Sequence, residues 1–344
     1  MRRMAADFGN AATWEYEDTT LGVAAVWTEK KRGRGEDAPP TWLHHSGSGR
    51  GIIAVYDGLG GSGGRAVSRT PDDQDVSGAF VGARATRFAL EDWFVATAAK
   101  RRVSDPGDLH GALLEGLLQT GIAPGKVSGT MVRHLPTTLA AIEYEVAGDQ
   151  VTVAARWAGD SRAYILDRAH GLQAISRDDT PDSDALILLT NDQPMTNVVC
   201  ADRPFHVNEF LGVGPLALPT VLACATDGFY NYVPTPAHFE YLLLQTMQDA
   251  GSWGNWAVTL EDRVEKYTSD DASLVIVALG YRSYPAMRDY YRERRKLLES
   301  QFIRPFSQVR DSGQESAIAE ERAGQWMRYR EGYEQWVRQM EANR

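Results

Sequence analysis

Short apolar runs, bounded by polar or glycine-rich turns, recur through the first 280 residues of the chain. Many of these runs are rich in β-branched residues, which is typical of strands. They begin at Leu21, Gly51, Thr137, Val151, Ala163, Thr220 and Ser273. The runs that begin at Thr137 and Val151 are joined by Ala-Gly-Asp-Gln at 147–150, a turn that predicts a β-hairpin.

Segments with helical spacing separate these strands. Ser77 is suited to cap a helix over 78–100, and Asp108 is suited to cap one that runs through Gln119. Pro236 is expected to open another helix, and a further one is expected over 253–267. Long helices between hairpin-paired strands predict an α/β fold with layered, largely antiparallel sheets.

Three irregular stretches are predicted to be loops. Residues 30–50 and 60–77 are rich in glycine, serine and charged side chains, which favours a position on the surface. Residues 178–214 are longer and show no clear period. A loop of that length is often functional.

The pattern changes after Gly280. Residues 281–344 contain almost no β-branched runs, and aromatic side chains from Trp326 to Trp336 recur at steps of three or four. This spacing predicts two helices joined near Asp311–Gly313. We therefore expect a main domain over 1–280 and a helical C-terminal extension over 281–344. The extension is predicted either to pack against its own domain or to bind a protein partner.

Charge and composition narrow the class of protein. The net charge is −10, which disfavours nucleic acid as a partner; it is the sum of −13 over the first 280 residues and +3 over residues 281–344. No apolar run reaches the roughly 20 residues that a membrane-spanning helix needs, and no export signal is visible. The two cysteines, Cys200 and Cys224, lie in apolar surroundings, which favours a reducing, cytoplasmic compartment.

Four aspartates flank apolar strands. Asp57 and Asp227 each follow a strand and precede a glycine, whereas Asp18 and Asp270 each stand three positions before a strand. Strand ends can hold carboxylates in fixed convergence, and glycine allows the sharp turn that exposes a carbonyl. Such oxygen ligands suit Mg²⁺ or Mn²⁺, and a pair of these ions can activate water against a phosphoryl group. A single Asp-Gly pair would indicate only a turn.

The motifs together resemble those of the metal-dependent protein phosphatases of type 2C, the PPM family, in its bacterial form. The series runs from about residue 14 to residue 280, in the family's order. It comprises WEYEDTTLGV, AVYDGLGGSGG, PTTLAAI, WAGDSRAYIL, ISRDDT, ACATDGFYN and SDDASLVIVAL. The resemblance implies an α-β-β-α sandwich of two mostly antiparallel sheets flanked by helices, and a hydrolase that acts on phosphoserine and phosphothreonine.

The resemblance also implies roles for individual residues. Asp57 would bridge two Mn²⁺ or Mg²⁺ ions, the Gly58 carbonyl would bind one of them, and Asp227 with Asp270 would complete the other shell. Glu17 and Asp18 would contact metal-bound waters. Asp160 would join Asp227 around a third, weakly held ion. Ser161 and Arg162 would pack in the turn beside the site.

Departures from the family pattern affect two functions. Leu59 stands where many members have a histidine that is proposed to protonate the leaving group. Thr13 stands where animal members carry a phosphate-binding arginine, and Arg50, Arg65 or Arg69 could supply that guanidinium instead. Residues 178–214 fall where bacterial relatives have a mobile flap that would gate substrates.

Three functions follow from these residues. The leading one is a phosphatase that acts on phosphorylated proteins. The second is a catalytically silent phosphatase fold that recruits partners through its C-terminal helices. The third is a metal-dependent hydrolase of small phosphate esters or nucleotides. Metal binding separates the first from the second, and substrate comparison separates the first from the third.

Overall fold

The computed structural model describes residues 12–31, 33–70, 73–100, 103, 108–124, 132–182, 184–189 and 193–342. Its strands are β1 Thr13–Glu17, β2 Leu21–Thr28, β3 Ala38–His45, β4 Arg50–Tyr56, β5 Ala66–Arg69, β6 Asp75–Ser77, β7 Leu139–Ala147, β8 Gln150–Ala158, β9 Arg162–Asp167, β10 Gly171–Ala174, β11 Asn208–Ala217, β12 Thr220–Ala225 and β13 Ala272–Leu279.

The helices lie between and after these strands. They are α1 Gly60–Gly63, α2 Gly78–Thr97, α3 Leu109–Gln119, α4 Ala185–Leu188, α5 Asp227–Tyr230, α6 Pro236–Asp249, α7 Trp253–Val264, α8 Tyr284–Leu298, α9 Arg304–Asp311, α10 Glu315–Tyr333 and α11 Gln335–Ala342. A π-helical turn, Glu299–Ile303, joins α8 to α9. Among the described residues, no helix is both long and apolar enough to cross a membrane.

Two antiparallel sheets form the centre of the molecule. One has the strand order β1-β2-β13-β12-β9-β10 and the other β11-β8-β7-β4-β3. Alternate residues of each central strand enter different cores, as the period of two requires. Val275 and Val277 share a core with Ile53 of the facing sheet, whereas Leu274 and Ile276 face the helices on the outer side.

Helices cover both outer faces of the sandwich. Helices α2 and α3 pack on the β4 sheet through apolar side chains such as Leu90 and Leu113. Helices α6, α7, α8 and α10 pack on the other sheet through side chains such as Leu243 and Trp256. The predicted α-β-β-α sandwich is therefore confirmed.

Local sequence signals gave several elements correctly. The predicted hairpin is β7–β8, in which Ala147 pairs with Gln150 across the turn. The Ser77 side chain accepts a hydrogen bond from the Phe80 N–H at 3.1 Å, and Asp108 accepts one from the Gly111 N–H at 2.7 Å, so both predicted caps are confirmed.

The prediction of a surface loop over residues 30–50 is wrong. This segment contains β3, whose first six residues are buried. The strand carries Pro39 and Pro40, which argue against a central strand because proline cannot donate to the ladder. Here β3 is an edge strand, and its register shifts between Ala38 and Thr41, so the two prolines lie at an irregularity of the ladder.

The C-terminal extension consists of two helical segments, as predicted, with Gly313 in a left-handed conformation (φ 69°) at their junction. Trp326, Tyr329 and Tyr333 of α10 belong to the same hydrophobic core as Leu243 of α6. These aromatic side chains face inward, so they do not form an exposed surface for a partner. Of the two predicted outcomes, the structure has the extension packed against its own domain.

Candidate active site

Several strands and loops bring carboxylates to one end of the sandwich. Asp57 follows β4, Asp160 follows β8 and Asp227 follows β12, whereas Asp270 and Asp271 precede β13. Strands β12 and β13 are antiparallel neighbours, with Ala225 opposite Leu274, so the end of one lies beside the beginning of the other. The sheet therefore gathers residues that are far apart in sequence.

Asp57 is held by its backbone. Its N–H donates to the Thr138 hydroxyl at 3.2 Å, and its carbonyl accepts from the Thr138 N–H and the Thr137 hydroxyl, both at 2.8 Å. A Cβ on Gly58 would lie 2.4 Å from the Glu36 carbonyl oxygen, so only glycine allows this close approach. These contacts fix the strand end and leave the carboxylate directed into the cleft that Asp57 lines.

The carboxylates repel one another. Burial, together with the charges of Asp37, Asp227, Asp160 and Asp270, raises the pKa of Asp57 well above its ordinary value. Burial and the Asp270 charge raise the pKa of Asp227 to about 6, while hydrogen bonds from Asp57 and Asn231 oppose this shift. The Asn231 amide donates to Asp227 at 3.0 Å. The cluster is therefore strained electrostatically in the absence of a counter-charge.

The charged form of the Asp160 carboxylate is also destabilised by burial and by neighbouring carboxylates. Burial, followed by the charges of Asp227 and Asp178, raises its pKa well above the ordinary value. Its Oδ1 atom is buried without a hydrogen-bond partner, and its carbonyl accepts from the Tyr230 hydroxyl at 2.5 Å. A buried carboxylate oxygen without a donor fits a position for a bound cation.

Two acidic residues of the site were missed by sequence reasoning: Glu36 and Asp37. Asp37 is 1% exposed, and its carboxylate accepts from the hydroxyls of Ser273 at 2.8 Å and Thr226 at 3.1 Å. Burial and the charges of Asp271 and Asp227 raise its pKa well above the ordinary value. Glu36 lines the cleft and accepts a short hydrogen bond from the Ser77 hydroxyl.

The structure contradicts the prediction that Glu17 and Asp18 belong to this site. Both lie at the opposite end of the sheet, where Leu21 pairs with Leu279, whereas the site lies beside the Thr28–Ala272 pair. The eight residues of β2 separate the two ends by roughly 23 Å. Asp18 accepts hydrogen bonds from its own turn, including the Thr20 N–H at 2.7 Å, and these bonds outweigh burial and lower its pKa.

The Glu-Asp pair at the site is Glu36-Asp37, which directly precedes the buried strand β3. An available signal was the sequence GEDA before an apolar run, but Pro39 and Pro40 made that run resemble a loop. In this register the residue four positions before the glutamate is Arg32 rather than Thr13. Arg32 lies outside the described residues.

The three arginines that were considered as alternative phosphate ligands do not line the cleft. Arg50 lies at the far end of β4, 2% exposed, and forms an ion pair with Glu143 at 2.7 Å. Arg69 forms exposed ion pairs with Asp73 and Asp75. Arg65 is exposed and does not line the cleft. Arg133, which was not predicted, does line it.

The carboxylates open into a cleft of about 870 Å³. Leu59 lines this cleft, as do Tyr232 and side chains of the 178–214 segment, including Leu188, Leu189 and Met195. The described parts of the predicted flap segment therefore form a wall of the cleft. A smaller recess of about 490 Å³ shares Glu36, Asp270 and Asp271 with the cleft and is also lined by Lys30, Lys31 and Arg34.

Ser161 and Arg162 pack in the turn beside the site, as predicted. The Ser161 hydroxyl lies 2.6 Å from the Thr138 hydroxyl, which in turn binds the Asp57 backbone. The Arg162 guanidinium forms a buried ion pair with Asp178 at 2.7 Å and lies over the Tyr230 ring, 4.1 Å from its centroid.

The donor set is suited to hard cations, because it consists of carboxylates and a backbone carbonyl. Within the described ranges, no group of three or more His, Cys, Asp or Glu side chains is arranged closely enough to hold a metal ion as it stands. The carboxylates instead share one cleft, with raised pKa values and one unpartnered oxygen. The residues therefore fit divalent cations in their chemistry.

Comparison with known proteins shows the fold. No family model and no curated protein sequence matches the chain. Serine/threonine phosphatase Stp1 from Staphylococcus aureus is 16% identical, with 75% of this chain and 94% of that chain covered and a TM-score of 0.54.

Two further structures, both described as a bacterial serine phosphatase, are similar. One carries an arginine-to-lysine mutation and is 15% identical, with 75% of this chain and 97% of that chain covered and a TM-score of 0.51. The other is 16% identical, with 78% and 97% covered and a TM-score of 0.50. The chain therefore has the fold of the bacterial PPM-type serine/threonine phosphatases.

Proposed function

We propose that this chain is a metal-dependent protein serine/threonine phosphatase, which hydrolyses phosphoserine and phosphothreonine monoesters. The observation that carries the proposal is the convergence of Asp57, Asp160, Asp227 and Asp270 in one cleft. The fold supports it, because structures that share it include a serine/threonine phosphatase and a bacterial serine phosphatase.

The carboxylates would hold two Mn²⁺ or Mg²⁺ ions. Asp57 and the Gly58 carbonyl would hold one, and Asp57 with Asp227 and Asp270 would hold the other, with Asp160 available to a third. Glu36 and Asp37 replace Glu17 and Asp18 as the supporting acidic pair. When bound, such ions would lower the pKa of water and neutralise charge on a phosphoryl group.

The protein contributes charge and position. Asp37 accepts hydrogen bonds from Thr226 and Ser273, which orient its carboxyl group near Asp57 and Asp227. Arg133, which lines the cleft, would offer a guanidinium to the phosphate. Leu59 has no proton to donate, so the leaving alkoxide takes its proton from water or from another cleft side chain.

The size of the cleft supports a phosphorylated protein as the substrate. A cleft of about 870 Å³ is large compared with a phosphate group, so it can accept a serine or threonine side chain with flanking peptide. The recess beside it carries Lys30, Lys31 and Arg34, which would contact acidic residues of that peptide. Hydrolysis of small phosphate esters would use the carboxylate end alone.

Turnover with a defined substrate tests the proposal. Purified full-length protein with Mn²⁺ should release phosphate from a phosphothreonine peptide and should do so with a higher kcat/KM than from nucleotides. EDTA and the Asp57→Ala change should each abolish release. Asp149→Asn is the matched control, since Asp149 is an exposed hairpin residue distant from the site. Activity that survives both EDTA and Asp57→Ala would refute the proposal.

The cytoplasm remains the proposed compartment. Cys200 and Cys224 are both free and buried, and burial raises the pKa of each thiol. Buried protonated thiols of this kind are compatible with a reducing environment.

A further inference from the structure

Helix α4 forms part of the cleft wall but is too short to be stable by itself. It has four residues, Ala185–Leu188, and a single helical turn forms few of the hydrogen bonds that offset its ordering. Leu188 and the following Leu189 both line the cleft. The position of this wall therefore depends on what holds α4 from outside.

One anchor of α4 is a carboxylate that interacts with α10, a helix of the C-terminal extension. Asp184 caps α4, with its Oδ1 atom accepting from the Leu186 N–H at 3.0 Å. The other oxygen, Oδ2, accepts from the Trp326 indole N–H at 3.1 Å and pairs with the Arg330 guanidinium at 2.9 Å. A single side chain thus joins the first turn of α4 to two residues of α10.

Apolar packing reinforces this anchor. Ala185 is 6% exposed and lies in the same hydrophobic cluster as Trp326, Tyr329 and Tyr333. Leu186 and Leu189 pack against that cluster from its edge. One side of α4 therefore rests on the C-terminal extension while Leu188 faces the cleft.

Helix α10 also contacts the cleft by a second route. The Tyr333 ring packs against the Tyr164 ring with their centroids 6.2 Å apart, and Tyr333 lies close enough to the Arg162 guanidinium to interact with it electrostatically. Arg162 in turn holds Asp178, which lines the cleft at the beginning of the 178–214 segment. Helix α10 therefore contacts Asp184 directly and is linked to Asp178 through Arg162. These two aspartates lie on either side of the cleft-lining Thr180 in the sequence.

We propose that Trp326, Arg330 and Tyr333 form a brace, the α10 brace, that positions the cleft wall formed by residues 178–182 and 184–189 for the peptide part of the substrate. The inference rests on the proposed function for the identity of that substrate. The brace residues touch no carboxylate of the metal-binding cluster, so they are positioning residues. When the brace contacts are removed, the wall becomes ordered only when a peptide binds. The free-energy cost of that ordering weakens binding and raises KM, and the chemistry at the carboxylate end is unchanged.

Hydrogen exchange tests the brace without reference to activity. The double change Trp326→Phe and Arg330→Met removes both groups that bind Asp184 Oδ2 and keeps apolar volume. We expect exchange at the amides of residues 186–189 to accelerate about tenfold, the equivalent of roughly one charge-assisted hydrogen bond. The conservative Arg330→Lys change should retain protection within about threefold.

The matched control is Arg328→Met on the same helix. Arg328 is exposed, pairs with Glu321 at 3.5 Å and loses the same charge on substitution. Exchange at 186–189 should remain within about twofold of the wild type in this control. Equal exchange in the double variant and in the control would refute the brace, and so would unprotected exchange of these amides in the wild-type protein.

Kinetics provide the second readout. The double variant should raise KM for a phosphothreonine peptide about fivefold and change kcat/KM for a small chromogenic phosphate ester less than about twofold. Equal losses on both substrates, with a lower melting temperature, would show a purely structural role and overturn the proposal. If the wild-type protein releases no phosphate, the proposed function fails, and the exchange experiment still decides whether the brace exists.

Discussion

Replacing Asp227 by asparagine should stabilise the metal-free protein above neutral pH. The change removes one of the repelling charges but keeps a side-chain oxygen that can accept the hydrogen bond from Asn231. The pKa of Asp227 is about 6, against an ordinary value of 3.8. At about 1.4 kcal/mol per pKa unit, the charge costs the fold up to ~3 kcal/mol. Because Asp227 is only partly shielded from solvent and lines the open cleft, we expect about half of this amount.

The sign follows from proton binding. Asp227 holds its proton more tightly in the folded chain than in the unfolded chain, so metal-free stability rises as the pH falls from about 7 to about 4. The asparagine variant lacks this contribution. Its advantage over the wild type is therefore fully present at pH 8, falls to about half at pH 5 and is largely lost below about pH 4.

Thermal unfolding in EDTA measures this difference. With an unfolding entropy of about 2.1 cal/mol/K per residue, ~1.5 kcal/mol raises the midpoint of the 344-residue chain by about 2 °C at pH 8. Asp149→Asn, which removes an exposed charge, should leave the midpoint unchanged. Added Mn²⁺ should stabilise the wild type more than Asp227→Asn. A metal-free wild type that melts above Asp227→Asn at pH 8 would refute the reasoning about repulsion.

Further predictions concern the corrected site and the extension. Asp37→Asn should lower kcat/KM in a phosphopeptide assay about a hundredfold, because Asp37 would support the proposed metal ligands, whereas Asp18→Asn should change it less than about twofold. A larger loss for Asp18→Asn than for Asp37→Asn would return Asp18 to the site. Arg133→Ala should raise KM for a phosphothreonine peptide about tenfold, and an unchanged KM would exclude a phosphate contact. Truncation after Gly280 removes α8 to α11 from the core and should give a chain without near-ultraviolet circular dichroism; a folded, active fragment would contradict the shared core.

The pattern of strands and helices was sufficient to predict layered, largely antiparallel sheets, whereas the α-β-β-α sandwich was what the type 2C resemblance implied. Val275 and Ile276 both had to be buried, which required layers on each side of the sheet. Asp57 and Asp227 could be identified for a related reason: each directly follows such a strand and precedes a glycine.

The Glu-Asp pair could not be assigned reliably from local pattern. Glu17-Asp18 and Glu36-Asp37 both precede buried strands, and only strand direction and pairing decide which pair lies beside Asp57. Strand β3 could not be recognised from sequence because it contains Pro39, and whether a proline-containing strand lies at an edge depends on the whole sheet. The inward orientation of Trp326 could not be predicted from the sequence either, because aromatic residues at helical spacing are found both in hydrophobic cores and at protein interfaces.

Calorimetric titration of Mn²⁺ into the metal-free full-length protein at pH 8 tests the central claim most directly. The account predicts saturable binding of two ions to the wild type and to Asp149→Asn, and loss of that binding in Asp57→Ala. Wild-type protein that takes up no Mn²⁺, or Asp57→Ala protein that binds it as tightly as the wild type, would contradict the account.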